Sequence, residues 1–138
     1  MEGGLSWEGG CFCGAIRYRA NGDPGVSTHC HCEHCRRTSG AAFVTWVEFP
    51  ARGFSFTRGK PASFESRPGV TRTFCSSCGT PLTYRLADTS GTVDIIVCSL
   101  DEPGRIAPKD HVFHAGKLPW VRLADGLPTY PRRRADGR

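Results

Sequence analysis

"CFCG" at Cys11–Gly14 and "CSSCG" at Cys75–Gly79 decide how this chain folds. Each brings two cysteines close together and follows the second with glycine. Glycine permits the tight turn that aims backbone N–H groups at a thiolate. In a straight strand, residues i and i+2 stand about 6.6 Å apart, too far for two sulfurs on one ion. The backbone is therefore expected to bend at Phe12. Cys11, Cys13, Cys75 and Cys78 together make a four-sulfur tetrahedral set, the donor set of a closed structural zinc site. Closing the loop from Cys13 to Cys75 costs about 3–4 kcal/mol. A structural zinc contributes about 10–16 kcal/mol, so the metal outweighs the closure.

Between these pairs lies "HCHCEHC", His29–Cys35. Cys30, Cys32 and Cys35 supply three thiolates, and three protein ligands leave a zinc with a position for water or substrate. Spacing alone equally allows a closed site that recruits His29, His31 or His34. An iron–sulfur cluster fits less well, because it wants four cysteines and the remaining one, Cys98, is far along the chain.

The chain has 138 residues, 17 Gly, 10 Pro and 38% hydrophobic residues. That is a turn-rich globular composition sized for one domain spanning residues 1–138. No apolar run approaches the roughly 18–20 residues of a membrane-spanning helix. The opening "MEGGLSWEGG" lacks a basic and an apolar leader region, so a reducing cytoplasm is expected. There the eight cysteines read as metal ligands before they read as disulfides.

The rest of the sequence reads as β. "AIRYRA" (residues 15–20) alternates, with Ile16 and Tyr18 opposite Arg17 and Arg19. "PLTYRL" (81–86) puts Leu82, Tyr84 and Leu86 on one face. "AAFVTWVEF" (41–49) is rich in β-branched and aromatic residues, and "TVDIIVCSL" (92–100) is apolar on both faces, as in a central strand. "NGDPG", "PARG", "RGKP", "RPG", "DTSG" and "DEPG" supply the turns. One short helix is expected from about Glu33, ended by Gly40. Residues 131–138, "PRRRADGR", read as a polar, frayed tail, with Arg132–Arg134 solvated.

The formal charge is +5. Seven metal-bound thiolates against two divalent ions would subtract three charges, leaving about +2. Nucleic acid is therefore not the expected partner. Arg36 and Arg37 directly follow the triplet and could hold carboxylates of a peptide-like thiol, or balance the thiolates. Cys98 reads as a small buried hydrophobe, Trp46 and Trp120 as core or pocket wall, and His111 and His114 as hydrogen-bonding residues with substrate or proton handling as the alternative.

"GGCFCGAIRYRA", "HCHCEHCRRTSGAAFVTWV", "FCSSCGTPLTYR" and "SLDEPGRIAPKDHVFHAGKLPWVRLADGLPTY" resemble, in this order, the segments of the glutathione-dependent formaldehyde-activating (GFA, or CENP-V/GFA) family. The resemblance runs from about Gly9 to Pro131. It implies a mainly β, Mss4-like β-tent of short antiparallel strands with zinc knuckles and at most a short helix. It implies two zinc ions per chain: a structural one on Cys11, Cys13, Cys75 and Cys78, and an active-site one on Cys30, Cys32 and Cys35. The activity implied is that of a carbon–sulfur lyase acting on a glutathione–aldehyde adduct such as S-hydroxymethylglutathione, with Arg36, Arg37, Ser39, Gly40 and His111 as substrate-binding residues. Three thiolates leave a zinc site with net charge −1, which weakens it as a Lewis acid. A non-catalytic zinc module for a thiol metabolite or a macromolecular partner is therefore the alternative, as the family's centromere-associated relatives suggest.

Overall fold

Hydrophobic alternation and the cysteine turns together generate two sheets. The computed structural model describes residues 6–87 and 91–134. Three strands form the smaller sheet: β1 (Ser6–Gly10), β2 (Arg17–Asn21) and β5 (Phe54–Arg58), in the order β1-β2-β5. The larger sheet has seven strands. They are β3 (Ser27–Cys30), β4 (Val44–Pro50), β6 (Ala62–Arg67), β7 (Val70–Phe74), β8 (Pro81–Leu86), β9 (Thr92–Ile96) and β10 (Asp110–Val112), in the order β10-β3-β4-β9-β8-β7-β6. All pairings are antiparallel except β10 with β3. The fold is mainly β, as expected, and its α-helix is α1 (Glu33–Ser39).

The alternation of β2 is as the sequence implies: Ile16, Tyr18 and Ala20 are buried. They meet Val47, Phe49, Val93 and Ile95, the inward face of β4 and β9, in the larger apolar cluster. The opposite faces of the same strands carry Val44, Trp46 and Ile96, which pack with Cys30, Cys32, Cys35 and Val112 in a second cluster. Strand β4 is thus apolar on both faces because it serves two cores.

Four readings of the sequence need correction. Leu82 and Tyr84 do not share a face. Phe74 pairs with Pro81 while Thr73 pairs with Thr83, so Leu82 is the extra residue of a β-bulge. Leu82 joins the larger cluster and Tyr84 the smaller. The run from Thr92 to Leu100 is not one strand, because β9 stops at Ile96 and Val97–Ser99 forms a 3-10 turn. That turn buries Val97 and Leu100 and leaves Cys98 exposed, so Cys98 is not a core residue.

The segment from residue 131 is not simply a frayed tail. Phe113 N–H donates to the Arg132 carbonyl and Ala115 N–H to that of Pro131. The Arg134 guanidinium clasps buried Asp110 through both Nε and Nη2, which corrects its reading as a solvated residue. Residues 135–138 of that tail, the first five residues of the leader reading and most of the "DTSG" turn lie outside the described residues.

Candidate functional site

The first cysteine pair sits where β1 ends. Gly14 N–H donates to the Cys11 carbonyl and Cys11 N–H to that of Ile16, so the backbone turns at Phe12 as the spacing requires. Phe12 itself points outward, 93% exposed. The second pair closes the β7–β8 turn, where Gly79 has φ +83° and donates to the Cys75 carbonyl. Ser77 and Cys78 N–H groups donate to Cys75 Sγ at 3.3 and 3.4 Å, the thiolate-directed turn that the glycine predicts. All four sulfurs lie within 4.8 Å of one another. Cys11 and Cys13 Sγ are 3.7 Å apart, and Cys13 and Cys75 Sγ 3.8 Å. Thiolates at about 2.3 Å from one tetrahedral ion stand about 3.8 Å from each other, so the set fits a zinc-sized ion.

The triplet forms where β3 runs into α1. Cys30 ends the strand and Cys32 is the helix N-cap, its Sγ accepting from Cys35 N–H at 3.3 Å. Gly40, in the left-handed region with φ 71°, closes the helix. The three sulfurs lie within 4.8 Å of one another, and among the described residues no histidine or carboxylate joins them. Hydrogen bonds from the Cys30 and then the Cys35 thiol pull Cys32 down to about 2, with the charge of Arg72 helping. The neighbouring thiols and burial push Cys30 up. A divalent cation bound to the triplet would displace the thiol protons.

His29, His31 and His111 are occupied elsewhere. His31 is fully buried, and its Nε2 lies 2.9 Å from His111 Nδ1. His111 Nε2 lies 2.8 Å from Asp125 Oδ2. Burial, then neighbouring His111, holds His31 down to about 4, so it is neutral at physiological pH. His29 Nδ1 hydrogen-bonds Thr45 Oγ1 at 2.8 Å, and its ring stacks on His111 at 4.6 Å. His29, His111 and Asp125 also come within 4.8 Å of one another. However, stacked imidazoles send their lone pairs side by side, whereas a shared ion needs them to converge. These groups read better as a hydrogen-bonded chain bracing β3 and β10 behind the triplet.

Beside the triplet opens a cavity of about 410 Å³, inside the usual range for a small-molecule site. Thr38 and Ser39 of α1, Val44 and Trp46 of β4, and Ile96 form one side, while Phe74, Gly79 and Pro81 of the second cysteine turn contribute to its wall. The cavity therefore borders residues next to both cysteine clusters, although no cysteine lines it. Of the residues expected to bind substrate, Ser39 lines it. Arg36, Arg37 and Gly40 line a smaller depression with Trp120, which is 69% exposed. His111 is buried in the histidine chain.

Two residues of this region escape a reading of the sequence. Asp125 lies in a loop with no motif around it. Arg72 could have been found, because it occupies the buried phase of β7 between Val70 and Phe74, where a charge is out of place.

A model of the family described as "Glutathione-dependent formaldehyde-activating enzyme" matches residues 6–116. The chain belongs to this family. A Schizosaccharomyces pombe protein described as an uncharacterized lyase is 33% identical over 86 residues, covering 56% of each chain. The chain thus spans 56% of the length of that curated relative. In fold, the GFA chain resembles a solved Rhodobacter sphaeroides structural-genomics protein, with TM-score 0.55 and 17% identity over 88% of this chain and 98% of that one. No helix among the described residues is long and apolar enough to cross a membrane.

Proposed function

We propose that the chain is a zinc-dependent, carbon–sulfur lyase-like enzyme that acts on a thiol–aldehyde adduct, with S-hydroxymethylglutathione as the reference substrate. The observation that carries the reading is the sulfur triplet beside a cavity, with no fourth protein donor among the described residues. Family membership supports a thiol and an aldehyde as reactants. Cys11, Cys13, Cys75 and Cys78 would hold the structural zinc. A zinc ion on Cys30, Cys32 and Cys35 would supply an electrophilic centre with one position left for a ligand.

In the lyase direction the carbon–sulfur bond breaks and its electron pair returns to sulfur. The adduct's hydroxyl becomes the aldehyde carbonyl, and its proton passes through solvent to the released sulfur, which leaves as the thiol. The chain's own contribution is to bind and orient. Thr38 and Ser39 lie at the cavity wall, their hydroxyls donating to the His34 and Cys35 carbonyls. Arg36 and Arg37 border the smaller depression across α1 and could meet a projecting carboxylate there. Asp125 and His111 keep the imidazole of His31 in one orientation behind the triplet.

The test is exchange between glutathione, formaldehyde and their adduct, followed by NMR with the zinc-loaded chain. Acceleration above the uncatalysed exchange that vanishes in Cys30→Ser is expected. Tight thiol binding with no acceleration would replace the enzyme with a zinc-dependent thiol-binding module. A physiological setting in the cytoplasm is part of the same proposal.

A further inference from the structure

Arg72 is a buried cation that the lyase reading leaves unused. It is 6% exposed. A guanidinium keeps its charge at any physiological pH, and burying one is costly unless the charge finds a partner. Among the described residues Arg72 has no carboxylate partner. Its Nε donates to Ser66 Oγ at 3.0 Å and its Nη1 to Thr38 Oγ1 at 3.2 Å. Its guanidinium carbon lies 4.9 Å from the Tyr84 ring centroid and 5.9 Å from that of Trp46. Two hydroxyls and two ring faces orient the cation, whose nearby opposite charge is that of the sulfur triplet rather than a carboxylate. Two of its five N–H donors are used in this way, and the rest remain for a ligand.

The surroundings say what kind of ligand. Arg72 lines the 410 Å³ cavity together with the apolar residues Val44, Trp46, Phe64 and Ile96. Val44, Trp46 and Ile96 also pack against the triplet cysteines. A molecule filling the cavity therefore meets a forked cation and side chains that also pack on the sulfur cluster, although no cysteine lines the cavity itself. The arginines that follow the triplet in sequence are placed differently. Arg37 is paired with Glu33 at 2.9 Å and its side chain is 79% exposed. Arg36 Nε is directed at the His31 carbonyl. Water and salt screen charges in such positions.

We propose that Arg72 is the anion anchor of this cavity, making forked hydrogen bonds to a carboxylate of a small acidic thiol. The ligand class is a carboxylate-bearing thiol with a peptide-like body. This deepens the lyase reading and rests on it for the role of the sulfur. The carboxylate part stands on the cavity itself.

The zinc-loaded chain, Arg72→Gln and Arg72→Lys are titrated calorimetrically with glutathione, S-methylglutathione and glutathione diethyl ester, with zinc per chain measured throughout. Arg72→Gln is expected to bind both free acids roughly 10- to 100-fold more weakly. Its affinity for the ester and its zinc content should match the unmodified chain. Equal affinity of Arg72→Gln and the unmodified chain for glutathione overturns the anchor, as does an equal loss for acid and ester, which marks a structural role. If Arg72→Gln does not fold, Arg72→Lys decides, since it keeps the charge but not the fork. A loss for the acids alone supports the anchor, and unchanged affinities overturn it. S-methylglutathione, which has no thiol, separates the two readings. Arg72-dependent binding of it by a chain that shows no thiol–aldehyde turnover sinks the lyase reading and keeps the anchor. No binding of any of the three overturns the anchor.

Discussion

Asp94 shows how one side chain on the inner strands sets a pH dependence. It is paired across the ladder with Glu48 on one side and Tyr84 on the other. Burial, and then the like charge of Glu48, pushes its carboxyl up to about 7. The folded chain therefore holds a proton that the unfolded chain releases near pH 4. The stability this contributes is fully present below about pH 4 and is lost as pH rises to about 7. Asp94→Asn should be more stable than the unmodified chain by roughly 2–4 kcal/mol at pH 8 and about equal at pH 4. Melting both proteins across this range checks the sign, and the difference between them cancels effects of thiol protonation common to both. Cys32→Ser belongs to the same scale. It should remove one metal ion per chain and all activity while lowering the melting temperature only modestly, as metal analysis with calorimetry would show. The clustering of the cysteines was legible, because spacing of this kind brings sulfurs within reach of one ion. Asp125 was not, because its side-chain partner His111 is brought to it through Nε2 by the docking of β10, which no local pattern announces.

At the scale of elements, periodicity identified β2, β-branched and aromatic content identified β4, and the short helix expected from about Glu33 to Gly40 is α1. Periodicity failed at β8 and after β9 for different reasons. A bulge shifts the phase of alternation by one residue, so every position beyond it is assigned to the wrong face. A continuous apolar run hides where a strand gives way to a 3-10 turn, because both bury such residues. The bulge yields a prediction. Leu82 is fully buried in the larger cluster, so Leu82→Ala should cost about 2–5 kcal/mol in denaturant unfolding. The turn before β6 yields another. Gly59 has φ +73°, and a Cβ there would sit 2.2 Å from the Ala15 carbonyl oxygen. Gly59→Ala should therefore destabilise by more than the roughly 1 kcal/mol of a left-handed alanine alone. A loss below that value would mean the β2–β5 seam yields easily.

Across the whole molecule, the two cysteine clusters are unequal partners. The four-sulfur set ties β1 to the β7–β8 turn, whereas the triplet is gathered within one strand end and one helix turn. Cys75→Ser should lower the melting temperature by about 10 °C or more, because the closed set loses the energy that offsets its loop. A Cys75→Ser chain with full metal content and unchanged melting would refute the pairing. The turn also lends Phe74, Gly79 and Pro81 to the cavity wall, so thiol affinity should fall together with stability in that variant. The separation of Cys13 and Cys75 by 62 residues also bears on biosynthesis. At about 5–20 residues per second, the first pair leaves the ribosome roughly 3–12 s before its partners. During that interval two thiols wait exposed to oxidants and to competing copper, while the triplet can load within about a second of appearing. Cells short of zinc during translation should therefore accumulate chains miswired at Cys11 and Cys13.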